Sequence, residues 1–91
     1  MSKKNIISIG EFLFLVKGIR RWGLYDLKKG TITIIDKKSG DFIAALCKIQ
    51  ISARQKQIFL KNHALPIWNQ IQKLGISKRL FKANSQIIDI K

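Results

Sequence analysis

Acidic residues are the scarcest resource of this sequence: five Asp and Glu stand against eighteen Lys and Arg, for a formal charge of +13 and an isoelectric point near 10.4. A compact domain with that imbalance repels itself, and a polyanion relieves the repulsion most simply: DNA, RNA or an anionic membrane surface. Lysine kept for solubility, or an AT-rich coding sequence favouring Lys, Ile and Asn, would produce the same excess without a partner. Cysteine is also nearly absent. Cys47 stands alone in "FIAALCKIQI", so no disulfide can form within the chain, and its apolar neighbours suit a buried, inert thiol in a reducing, cytoplasmic compartment. With one Cys, one His and five scattered acids, no matched set of metal ligands can be assembled. No nucleophile, base and orienting group recur together either, so neither an enzyme nor a cofactor site is expected. Paired carboxylates for two-metal chemistry would require distant Asp residues to converge.

Long apolar runs and linkers are missing as well. The stretch 9–22 is interrupted by Glu11 and closed by Lys17, Arg20 and Arg21, too short for a membrane span and without a signal-peptide cleavage site. A basic interfacial helix is the membrane reading that remains, and it is a minor one. One proline, no repeat and no Pro- or Ser-rich segment imply a single domain over 1–91, with 1–7 flexible. An apolar content of 46% over 91 residues suffices for one modest core and argues against disorder.

What is present reads as α+β: three helices with two β-hairpins. The spacing of Ile9, Phe12, Leu13, Val16 and Ile19 predicts a helix over 8–22, capped by Ser8 with Glu11 three residues on and stopped by Gly23. Phe14 and Leu15 fall off that stripe, which implies contact on a second side, against the hairpin or another copy of the chain. Thr31 to Ile35 are all β-branched, and "DKKSGD" offers turn chemistry before a second apolar run, so a hairpin is expected over 30–51. Its second arm would bury Ile43, Ala45, Cys47, Ile49 and Ile51, although the Ala and Leu of "DFIAALCKI" equally suit a helix. Ser52 can cap a helix over 53–62 with Ile58, Phe59 and Ala53 inward. Pro66 suits the first turn of another over 66–74, whose buried stripe is Ile67, Trp68, Ile71 and Leu74 and whose end is Gly75. Finally "SKRLFK" and "SQIIDIK" suggest two short strands joined at Asn84 and Ser85. Apart from the doubled first sheet element, this order is similar in layout to a winged helix-turn-helix.

That layout selects the candidate residues. On the helix over 66–74 the apolar stripe leaves Asn69, Gln70, Gln72 and Lys73 outside; amides can pair with adenine in a major groove, and Lys can reach guanine or phosphate. An ordinary soluble helix exposes the same residue types. Lys78, Arg79 and Lys82 follow in the expected wing, where a phosphate backbone would pass. Arg54 and Lys61, seven apart, share a face of the preceding helix. Arg20 and Arg21 suit the end of the first helix through its dipole, and the pairs Lys28/Lys29 and Lys37/Lys38 suit solvated turns. Trp68 is expected in the core, and His63 in a loop or cap. Neither an octapeptide of the RNP type nor a GXXG loop is present to support the common RNA modules. The expectation is a DNA-binding protein of the double-stranded class, without enzymatic activity. The alternatives are a structured-RNA or ribosome-associated protein, and a basic accessory protein with an acidic protein partner.

Overall fold

Ile7, Ile9, Leu13, Leu15, Trp22 and Leu24 occupy every second position of three successive strands, and their side chains form one face of a sheet. The computed structural model describes residues 6–82. Strands β1 (Ile6–Gly10), β2 (Leu13–Lys17), β3 (Arg21–Asp26) and β4 (Thr31–Asp36) make an antiparallel meander whose spatial order is its chain order. Helices α1 (Lys37–Lys48), α2 (Ala53–His63) and α3 (Leu65–Lys73) follow. Helix α1 packs on all four strands, and α3 packs on α2. The core between the sheet and the helices joins Ile9, Leu13, Leu15, Trp22, Leu24 and Ile35 to Ile43, Leu46, Leu60 and Ile71. The class is α+β, with three helices and one four-stranded sheet.

Where the spacing predicts a first helix over 8–22, the chain forms a hairpin and the start of a third strand. The residues off the helical stripe explain why. Leu13 and Leu15 are fully buried while Phe14 and Val16 face the opposite side, a period of two that a helix cannot satisfy. Ile6 and Ile7, expected to be flexible, pair with Val16 and Leu15 in β1. Arg20 and Arg21 therefore do not end a helix: Arg20 lies in the β2–β3 turn and Arg21 opens β3.

The strand expected at 31–35 is present as β4, but its partner is the preceding β3, with Trp22 opposite Ile35 and Leu24 opposite Thr33. The second arm expected over 42–51 is helix α1 as far as Lys48, with Ile43, Ala44 and Leu46 buried and Ala45 exposed, and Ile49 and Ile51 are exposed after its end. "DKKSGD" is its start and not a turn. Asp36 accepts from the Ser39 backbone N–H at 3.0 Å and from the Ser39 hydroxyl at 2.7 Å, capping donors that would otherwise be unpaired. Both bonds hold the Asp36 carboxyl below the usual range. Gly40 is required in the first turn of α1 because the Trp22 indole lies against its Cα, and a methyl there would overlap the ring. The indole Nε1 donates to Asp41 at 2.9 Å, and Lys37 donates to the other oxygen of that carboxylate at 3.0 Å.

After α3, residues 76–82 return to the sheet as turns with one bridge, Leu80 opposite Gly10. "SKRLFK" is thus not the arm of a free wing, and its expected partner "SQIIDIK" lies outside the described residues. The segment is integral to the core: Ile76 and Leu80 are buried, Glu11 N donates to Arg79 O, and Phe81 N donates to Ile9 O. The Gln57 amide donates to Ser77 O and Leu80 O at 3.0 and 2.9 Å. At its centre the Arg79 guanidinium makes two parallel bonds to Asp26, 3.0 and 2.6 Å, and a third to Glu11 O at 3.3 Å. Asp26 is 2% exposed and also accepts from the backbone N–H groups of Lys28 and Lys29.

The Arg79 bonds, joined by those from Lys29 and Lys28, outweigh burial and hold the Asp26 carboxyl below its ordinary value. Stability from this pair is therefore complete above the unfolded carboxylate pKa, about 4, and is lost as pH falls through the lower folded value. Arg79→Ala leaves a buried carboxylate unpaired and is expected to cost about 3–5 kcal/mol in urea unfolding at pH 7. The deficit should narrow at pH 3, where the carboxyl stripped of its partner takes up a proton. Gly40→Ala gains about 1 kcal/mol in helix propensity, yet overpacking against Trp22 costs about 1–3 kcal/mol. A net loss in the same assay is the expected result.

Candidate nucleic-acid interface

Helices α2 and α3 are separated by Ala64 alone. Ser52 caps α2 in a reciprocal box: its hydroxyl accepts from Gln55 N at 3.1 Å, and the Gln55 side chain accepts from Ser52 N at 3.3 Å. Leu60, fully buried, is the residue that anchors α2. Ile58 and Phe59, expected inward with Ala53, are 48% and 41% exposed, and Ala53 is half-buried. The eleven-residue helix meets the core along one line only, so a wider apolar stripe has nothing to cover it. Phe59 packs instead between Phe42 and His63, the latter at 4.4 Å between ring centroids. His63 is thus the last residue of α2 and not a loop residue.

Pro66 stands in the first turn of α3, where its missing N–H leaves no bond unmade. Ile71 is buried; Ile67, Trp68 and Leu74 pack half-buried against the core. Gly75 follows at φ +72, a conformation that ends the helix. The expected stripe therefore faces inward, and Asn69, Gln72 and Lys73 are exposed while Gln70 is half-buried. Arg54 and Lys61 are both exposed on α2 and share a shallow groove with Gln57, Ile58 and Trp68. Trp68, expected wholly in the core, contributes an accessible edge between two cations. Its position at the flank of the apolar stripe, beside Asn69, is the sequence signal for that.

The other candidates divide. Lys78 and Lys82 are exposed, whereas Arg79 between them is turned inward onto Asp26, with its side chain 13% exposed. It holds the fold, with three of its five N–H donors committed to Asp26 and Glu11 O. Lys61 and Lys73 lie in the last turns of their helices, where the helix dipole favours a cation. Lys56 is committed internally, donating to Cys47 O at 3.1 Å and lying 5.7 Å from the Phe81 ring centroid. Lys29 donates to Leu74 O at the end of α3, at 3.0 Å.

The carboxylates decide the surface potential. Glu11, Asp26, Asp36 and Asp41 are the acids among the described residues. Asp26 is bound to Arg79, Asp36 caps α1, and Asp41 is shared by Lys37 and Trp22, bonds that also lower its pKa. Three of the four thus serve local structure, and the remaining Lys and Arg face solvent with little opposing charge. Among the described residues no group of three or more His, Cys, Asp and Glu could hold a metal ion, and no helix is long and apolar enough to cross a membrane. No family model, curated protein or solved structure matches the chain.

Cys47 is half-buried on α1, and burial pushes its thiol up to about 11 against a smaller opposing effect of Lys56. Compared with an unperturbed thiol at 9.0, the thiolate fraction at pH 8 falls by about 100-fold. Native protein should react with a thiol-exchange dye at pH 8 more slowly than urea-unfolded protein by a factor of that order.

Proposed function

We propose that the protein binds double-stranded DNA without catalysing a reaction, through the face on which α2 and α3 carry Arg54, Lys61, Asn69, Gln72 and Lys73. The observation behind this reading is the charge balance: of the four acids among the described residues, Asp26 is sealed against Arg79 and Asp41 is paired with Lys37, which leaves a cationic exterior on a +13 chain. Phosphate contacts from Lys and Arg supply most of the affinity in such a domain. The two helices joined at Ala64 provide a helix-turn-helix-like pair, with α2 along a backbone and the amides of α3 toward base edges. Lys78 and Lys82 add exposed charge after α3 and take the part of a wing; Arg79 has no share in it. Folded RNA would use the same charge through shape, and competition between the two nucleic acids at one salt concentration separates these readings.

The test is binding to a generic duplex across a salt series. Arg54→Ala, Lys61→Ala and Lys73→Ala combined should weaken binding to all sequences alike. They should also reduce the slope of log affinity against log salt by about 0.9 for each phosphate that is no longer neutralised. Lys78→Ala with Lys82→Ala should add a smaller loss of the same kind. Wild-type binding that is weak and shallow in salt for both duplex DNA and folded RNA would end the nucleic-acid reading.

A further inference from the structure

The face of the sheet turned away from the helices is apolar, and nothing in the described chain covers it. The strand register sets two rows across it: Ile6, Val16, Gly23 and Ile34 in one, Ser8, Phe14, Tyr25 and Ile32 in the other. Ile6, Ile32 and Ile34 are 55%, 60% and 58% exposed. An antiparallel sheet packed on one side normally alternates apolar residues inward with polar ones outward. Strand β4 departs from that rule at its centre. Its core-facing positions are Thr31, Thr33 and Ile35, and its outward ones are Ile32, Ile34 and, at the end, Asp36. Closing the core does not require two outward isoleucines, and an exposed apolar strip of this kind marks a contact surface.

The strip has a shaped and charged end. Gly23 is the one residue of its row without a side chain, and with the Tyr25 ring edge leaning toward it a shallow notch opens between Val16, Tyr25 and Ile34, with Ile19 from the β2–β3 turn, 93% exposed, at its mouth. Arg20 and Arg21 rim it. Asp36 stands opposite Arg21 in the register, with its oxygens turned to Ser39, and among the described residues neither arginine is in an ion pair.

From these features we propose that this face docks an acidic, amphipathic segment of a partner protein, one large apolar side chain entering the notch over Gly23 and carboxylates pairing with Arg20 and Arg21. Charge argues against a second copy, since two such faces would bring arginine rims of net positive charge into one interface, with only Asp36 on each to offset them. The aliphatic rows argue against bases, whose edges need hydrogen-bonding partners that Ile and Val lack. They also argue against a lipid surface, which needs no notch. This surface lies across the sheet from the helices, so the inference stands independently of the nucleic-acid reading.

The test uses a synthetic helical peptide with Leu at i, i+3, i+4 and i+7 and Glu elsewhere, titrated into the isotope-labelled full chain and followed by amide chemical shifts. A scrambled peptide of the same composition, a single-stranded oligonucleotide and anionic vesicles are run alongside. Saturable shifts confined to 14–25 and 32–34, weakened at least 10-fold by Ile34→Glu, by Gly23→Val and by Arg20→Glu with Arg21→Glu, support the proposal. Unchanged binding by Lys61→Ala with Lys73→Ala does so as well. Wild-type thermal midpoints for the outward-facing variants establish that they fold, and the arginine pair serves alone should Gly23→Val fail to. Equal binding of the scrambled peptide, occupation of the strip by the oligonucleotide or the vesicles, self-association through the strip, or no shift there at all would each overturn it.

Discussion

The ion pair between Asp26 and Arg79 is the constraint on which the remaining architecture depends. Asp26 ends the third strand, its oxygens organise the following turn through two backbone N–H groups, and its other bonds fasten a segment 53 residues away. Without that clasp the segment after α3 would have Ile76, Leu80, the two Gln57 bonds and a few backbone bonds to hold it over the turn of the β1–β2 hairpin. Burial of a charged pair is costly, and it succeeds here because the carboxylate is saturated: two guanidinium donors and two backbone donors satisfy it.

That use of an acid extends to the rest of the molecule. A chain with five carboxylates has few to spare, and Asp36 and Asp41 are committed at the first turn of α1, one to the cap and the other to Trp22 and Lys37. The helix begins one residue after the strand ends because Asp36 belongs to both. Local structure thereby employs three of the four described carboxylates, and the excess positive charge is left for solvent or for a partner. The two sides of the molecule use it differently: as dispersed Lys and Arg around the α2–α3 groove, and as a paired arginine rim beside an apolar strip on the sheet.

Much of the second half was legible in the sequence, because its signals are local. Ser52 with Gln55, Pro66 and Gly75 each act within a few residues, and they bracket α2 and α3 where expected. The first half misled for a physical reason. Ile9, Leu13, Val16 and Ile19 satisfy helical spacing, and the strand pattern that competes with it becomes decisive only once Leu13 and Leu15 have a layer to pack on. Likewise "DKKSGD" carries turn residues, and only the capping bonds of Asp36 make it a helix start. In the site, the exposure of Arg54, Lys61, Asn69, Gln72 and Lys73 follows from helix periodicity and could be read in advance. The inward turn of Arg79 could not, since its partner is set by tertiary contact. The apolar outer face was also hidden, because assigning Ile32 and Ile34 to a side requires knowing that β3, and not a later strand, is the neighbour of β4.

The distance in sequence between Asp26 and Arg79 has a consequence for the order in which the molecule can be completed during synthesis. The four strands are neighbours in sequence and can pair as they emerge from the ribosome, with short connections and little loop entropy to overcome. At that stage the carboxylate at the end of β3 faces a site still open to water, and it remains hydrated until the helices arrive. Residue 79 emerges after the four strands and the three helices, so the nascent sheet keeps a solvated, unlocked edge until the segment after α3 has been made. The closing step then joins an electrostatic contact to the burial of Ile76 and Leu80, which flank Arg79.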